Sequence, residues 1–106
     1  MFQALEFSLA VLDTLAPIER KLRARRKSLA DQVIRAAESI ALNLAEGRQR
    51  AGLDRIALYR VAAGSAAELT TALRIARSRD WISHAEYAAV DRDLDRVRAI
   101  AWTLTH

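Results

Sequence analysis

Apolar residues return every three or four positions along almost the whole of this chain, and that single periodicity commits it to helices rather than strands. It is clearest near the C-terminus, where Tyr87, Val90, Leu94, Val97, Ala101 and Leu104 follow Ser83-His84-Ala85-Glu86, a capping box opening a helix. The N-terminal segment carries Phe2, Leu5, Leu9, Leu12, Leu15, Ile18 and Leu22 on one face. Between these lie two more stripes, Leu29, Val33, Ala36, Ile40, Leu44 and then Leu58, Val61, Ala62, Ser65, Leu69, Leu73, Ala76.

The punctuation predicts helices over about 2–25, 29–46, 54–78 and 84–105. Ser28 with Asp31 three residues on reads as the N-cap of the second helix, and Gly47 as its left-handed C-cap. Asp54 is placed to cap the third. Pro17 interrupts the first stripe, so a kink or a restart is expected there. Phe7 and Val11 fall off that stripe, which widens the apolar face and suggests a subunit interface. Short connections make successive helices antiparallel. Lengths of roughly 25 to 40 Å then give an all-α, up-down-up-down four-helix bundle, a single domain over 1–106.

A chain of 106 residues can bury one modest core without staples, and it has no cysteine, which excludes disulfides, thiolate metal sites and thiol nucleophiles together. Its start, Met1-Phe2-Gln3-Ala4-Leu5-Glu6, lacks a basic leader, and acids interrupt its apolar positions. A cytoplasmic protein without membrane contact is expected. Catalytic sets are missing too. Di-metal bundles need Glu-x-x-His on two helices, whereas this chain has only His84 and His106. His84 reads as a capping-region residue rather than a phosphorelay site. No Gly-x-Ser-x-Gly elbow or phosphate-cradling glycine loop occurs. No enzyme, metal or cofactor is implied.

Beside its apolar stripe the second helix carries Arg35, Ser39, Asn43 and Glu46, and the third carries Gly64, Ser65 and Glu68. Antiparallel pairing about Arg50 brings Arg35 and Ala36 level with Gly64 and Ser65, with Glu68 a turn away, so an Arg35–Glu68 ion pair is expected. A glycine mid-helix is unfavourable by about 1 kcal/mol relative to Ala, and close approach to Ala36 and Ala37 would explain Gly64. This seam fixes register, or alternatively lines a ligand site. The same residues, Arg35-Ala36-Ala37-Glu38-Ser39-Ile40, Asn43-Leu44-Ala45-Glu46-Gly47 and Ala63-Gly64-Ser65-Ala66-Ala67-Glu68-Leu69, resemble the 23S rRNA-intervening-sequence protein family, also called four-helix-bundle proteins. The resemblance implies a subunit that assembles into a homo-oligomeric ring, typically a pentamer, with a basic surface. A related branch includes the accessory protein of diversity-generating retroelements, which engages a reverse transcriptase and nucleic acid. Many members have Phe-Pro and a short link after the first helix. Leu15-Ala16-Pro17 and a longer basic stretch depart from that pattern here.

That stretch, Arg20, Lys21, Arg23, Arg25, Arg26 and Lys27, sets six cations within eight residues. The helix macrodipole accounts for part of such a cluster. In an antiparallel bundle Arg77 and Arg79 share this end, while Arg48, Arg50 and Arg55 mark the other. A net charge of +4 and a pI near 10.3 fit an acidic partner, although an arginine excess also follows from genomic base content. The expectation is a ring that binds RNA or DNA through phosphates, without aromatic stacking because no aromatic interleaves the stretch. The competing expectation is a scaffold for a protein partner such as a reverse transcriptase, with Trp81 and Trp102 as contacts or, more simply, as partly buried anchors.

Overall fold

The computed structural model describes residues 1–106 as four helices: α1 (Gln3–Arg25), α2 (Lys27–Arg48), α3 (Gly52–Ser78) and α4 (His84–Thr105). There are no strands. Each helix packs on two others, α1 on α2 and α4, and α3 on α2 and α4, within a body of 42 × 23 × 20 Å. A single cluster of 23 buried apolar residues runs through it, with Leu15, Leu22, Leu44, Leu69, Leu73 and Leu94 among its largest members. The most extensive interface is α2 on α3. Ala36 and Ala37 on α2 and Ala62 and Ala66 on α3 are all buried, and small buried side chains let helix backbones approach closely.

Several boundaries and faces differ from the sequence expectation. The α1 core face is Ala4, Ser8, Val11, Leu15, Ile18 and Leu22, so Val11 is central and Leu9 is exposed. The core face is thus rotated about the helix: Val11 belongs to it, Phe7 packs on it partly buried and Leu9 is left outside, while Ser8 is buried within it with its hydroxyl donating to the Leu5 carbonyl at 2.7 Å. On α3, Tyr59 replaces Leu58 and Val61 in the core, leaving Val61 49% exposed. No restart occurs at Pro17. Pro17 has no N–H to offer the Asp13 carbonyl, but both residues are exposed, where water can reach, and Leu15 and Ile18 stay in one core.

The α1–α2 corner is one residue, Arg26, in an extended conformation. Its N–H donates to the Leu22 carbonyl at 2.7 Å and its own carbonyl accepts from Ala30 at 3.2 Å, so α2 begins before Ser28, which does not cap it. Asp31 binds Arg23 instead of completing a box with Ser28. At the other end of α2, Gly47 is inside the helix rather than its left-handed cap. A Cβ there would lie 2.6 Å from Tyr59 Cε1. The positive φ falls at Gly52, which opens α3 two residues before Asp54, and Asp54 makes no cap. Arg55 reaches back to finish α2, donating to the carbonyls of Gly47 and Arg48 at 3.1 Å each.

A left-handed cap does occur, on Asp80 (φ 60°) after α3. Trp81 N–H returns to the Ala76 carbonyl at 2.9 Å and Asp80 N–H to that of Arg77 at 3.0 Å, the paired bonds of a Schellman motif. It turns Trp81 and Ile82 inward, where Ile82 is buried and Trp81 packs on the core. The Ser83 capping box forms as expected, with Ser83 Oγ accepting from Glu86 N–H at 3.0 Å and Ser83 N–H donating to Glu86 Oε1 at 2.8 Å.

Candidate nucleic-acid interface

The one-residue corner at Arg26 and the Schellman turn after α3 lie at the same end of the molecule, where Arg26 stacks over the Trp81 ring at 5.3 Å from its centroid. Within the basic stretch the cations divide into two groups. Lys21 Nζ binds Glu86 Oε2 at 2.8 Å, and Arg23 bridges Glu19 at 2.9 Å and Asp31 at 2.8 Å. Hydrogen bonds from Lys21, and secondarily from the Ser83 backbone, hold the Glu86 carboxyl below the usual carboxylate range. Those to Glu19 and then Asp31 raise the Arg23 guanidinium further above its ordinary value. These two cations clamp α1 to α4 and to α2. Arg20, Arg25, Arg26 and Lys27 are exposed and form no ion pair.

Beside Arg26, the last two turns of α3 supply Arg74 and Arg77, and the turn supplies Arg79. With Thr71 and Ile75 they line an open cleft of about 750 Å³. None of these four arginines pairs with a carboxylate. Aromatic faces hold two of them: Trp81 carries Arg26, and Tyr87 carries Arg77 at 4.1 Å. A guanidinium resting on a ring keeps its in-plane N–H donors available for an anion. The sequence expectation missed Arg74 and the aromatic neighbours. The spacing Arg74, Arg77 on the end of α3 was readable, but the meeting of Trp81 with Arg26 depends on two turns converging.

The polar seam is present in part. Ser39 Oγ meets Ser65 Oγ at 2.8 Å, and Asn43 Nδ2 donates to the Ser39 carbonyl at 2.8 Å and to Ser39 Oγ at 3.1 Å. Glu46 pairs with Arg50 at the exposed helix end. The Arg35–Glu68 pair does not form. Gln32, three residues earlier and nearer α3, donates to Glu68 at 3.3 Å, while Arg35 is exposed. Its level was right and its azimuth wrong. Gly64 likewise has nothing within 4 Å of a built Cβ, so it does not approach Ala36 or Ala37. Ala62 and Ala66 occupy that buried side of α3.

Trp102 is 64% exposed and stacks on His106 with ring centroids 3.4 Å apart, so it is no core anchor, in contrast to Trp81. His84 is the exposed first residue of α4. No group of three or more His, Cys, Asp or Glu side chains is placed to hold a metal ion. No helix is long and apolar enough to cross a membrane.

The model of the family described as 23S rRNA-intervening sequence protein matches residues 3–102. Among solved structures, the chain is similar to a protein of unknown function from the S23 ribosomal protein family of Bacteroides thetaiotaomicron VPI-5482. The TM-score is 0.80 at 20% identity, covering 97% of this chain and 94% of that one. At that identity the likeness establishes the shared helical fold. No curated protein matches.

Proposed function

The chain belongs to the 23S rRNA-intervening sequence protein family, and from that premise we propose that it is a non-enzymatic, self-assembling helical subunit whose basic end binds nucleic-acid phosphates. The observation that carries this reading is the convergence of Arg20, Arg25, Arg26 and Lys27 with Arg74, Arg77 and Arg79 at one end, all without carboxylate partners. Seven unneutralised cations on one end repel one another. A polyanion that displaces condensed counterions relieves that repulsion.

We read the bundle as up-down-up-down, since the contacts Gly47 to Arg55, Ser39 to Ser65 and Gln32 to Glu68 run in opposite directions along α2 and α3. Assembly with further copies, into a ring of five as the resemblance implies, draws support from the outer face of α3. Leu53, Ala57, Val61 and Gly64 lie there three to four residues apart, all exposed, with Leu53 83% exposed. Gly64 is unfavourable in a helix and serves no contact within the subunit, whereas a neighbouring copy packed closely against it would give the missing side chain a purpose. Each copy would add a basic end to one rim. A second reading, docking of a protein partner, draws on the exposed Trp102.

The test is light scattering followed by mobility shifts of labelled RNA and duplex DNA across salt. The reading expects a multimeric mass for the wild type, a monomer for Val61→Glu, and binding that falls steeply with salt. No shift at low salt would discard nucleic acid in favour of a protein partner at Trp102. A monomeric wild type would discard the assembly.

A further inference from the structure

The surface of α2 and α3 holds three depressions, and Ile75 lines all of them, so they form one open groove. Arg26 and Arg79 line two of the three, with Trp81 at the corner. The groove ends at Gln32 and Glu68, the only carboxylate along it. We infer that this groove, rather than the end of α1, is where successive phosphates of a nucleic-acid strand are seated, with Arg26, Arg74, Arg77 and Arg79 as the phosphate ligands. The inference rests on the nucleic-acid reading above and narrows it to a site.

Three features favour this location. The cations of α1 that the sequence made most conspicuous include Lys21 and Arg23, which are already neutralised by Glu86, Glu19 and Asp31, and so contribute little to anion binding. The groove arginines have no such partners, and Trp81 and Tyr87 fix two of them before any ligand arrives, which lowers the entropy lost on binding. The groove is also open along its length, which suits an extended chain better than a compact anion. Besides its arginines it offers base edges little more than Ser28, Thr71, Ser78 and the single amide of Gln32. Binding there is tolerant of sequence.

The strand stops where Glu68 accepts from Gln32, because a carboxylate repels the next phosphate. The apolar outer face from Leu53 to Gly64 lies earlier on α3, so the proposed subunit contact and the strand use different stretches of the same helix.

The test compares Arg74→Gln/Arg79→Gln with Arg92→Gln/Arg96→Gln, a pair that removes the same charge from exposed positions on α4. Affinity for a labelled single-stranded RNA of mixed sequence is read by fluorescence anisotropy from about 50 to 200 mM salt. Circular dichroism melts establish that both variants fold. The groove pair should weaken binding about tenfold or more and flatten the log–log salt slope by about 1.4, two phosphates at about 0.7 each for a single strand. The α4 pair should change affinity by less than about threefold, as loss of general field does. Equal losses in the two variants would overturn the site while leaving the nucleic-acid reading intact. No binding by the wild type would overturn both. Tight binding of inorganic tripolyphosphate without any strand binding would overturn the strand in favour of a soluble anion.

Discussion

Replacing Gly47 by Ala should destabilise this protein, against the usual direction of a Gly→Ala change within a helix. Ala is favoured over Gly by about 1 kcal/mol in a helix interior, and Gly47 has no positive φ to forfeit. The obstacle is Tyr59. A Cβ on residue 47 would stand 2.6 Å from Tyr59 Cε1 and 2.9 Å from Cδ1, with Leu58 Cβ at 3.4 Å. The ring cannot yield cheaply because it is 5% exposed and packs at 6.0 Å from the Phe2 ring. An approach of 2.6 Å puts the overpacking in the upper part of its usual range, about 2–3 kcal/mol, so after the propensity gain of about 1 kcal/mol the net loss should be about 1–2 kcal/mol. At about 4–8 °C per kcal/mol for a domain of this size, the melting midpoint falls by about 5–15 °C. The assay is thermal unfolding by circular dichroism at fixed protomer concentration, since assembly would make the midpoint concentration-dependent. The cycle is completed in a Tyr59→Val background, where both contacted ring atoms are gone. There Gly47→Ala should raise stability by up to about 1 kcal/mol. A Gly47→Ala variant as stable as wild type or more so, or one equally harmful in both backgrounds, would refute the argument that Tyr59 selects the glycine.

Two backbone substitutions should act with opposite signs. Gly52→Ala forces a side chain into φ +61° and should cost about 1 kcal/mol, whereas Asp80→Gly relieves the left-handed cap at φ 60° and should gain several tenths to about 1 kcal/mol, both read from urea midpoints. The Glu86 carboxyl titrates lower in the folded state than its ordinary value of 4.5. Its stabilising contribution is therefore complete above that value and lost as pH falls through the depressed folded value. Glu86→Gln should be less stable than wild type by about 0.2–1 kcal/mol at pH 7, and the gap should shrink progressively as the pH falls below 4.5. A gap that persists unchanged in acid would show that Lys21 does not act through charge.

The helix count and type were legible because the 3.6-residue period is written into each segment separately and needs no partner to be recognised. Leu15, Ile18, Leu22, Val33, Ile40, Leu44, Leu69, Leu73, Val90, Leu94 and Val97 are core residues on periodicity alone. So is the Ser83 box, whose bonds span three residues of one turn. Less legible was the azimuth of each stripe, which assigned Leu9 and Val61 to the core and Val11 to a surface; a stripe rich in Ala and Leu supports several adjacent rotations until a neighbour selects one.

What the sequence by itself determined is therefore local: four amphipathic segments, the lack of any cysteine, an excess of positive charge and the motifs that mark the family. Tertiary structure alone decided which glycine relieves crowding and which supplies a positive φ, since Gly47 answers to Tyr59 across the turn and Gly52 to the chain's own bend. It also decided which cations are free. Arg23 and Lys21 are neutralised by Asp31 and Glu86 from other helices, and Arg26 is joined to Arg79 and Trp81 from a segment more than fifty residues away. Charge is a property of the residue. Whether that charge is available to a partner depends on what the fold places within a few ångströms of it.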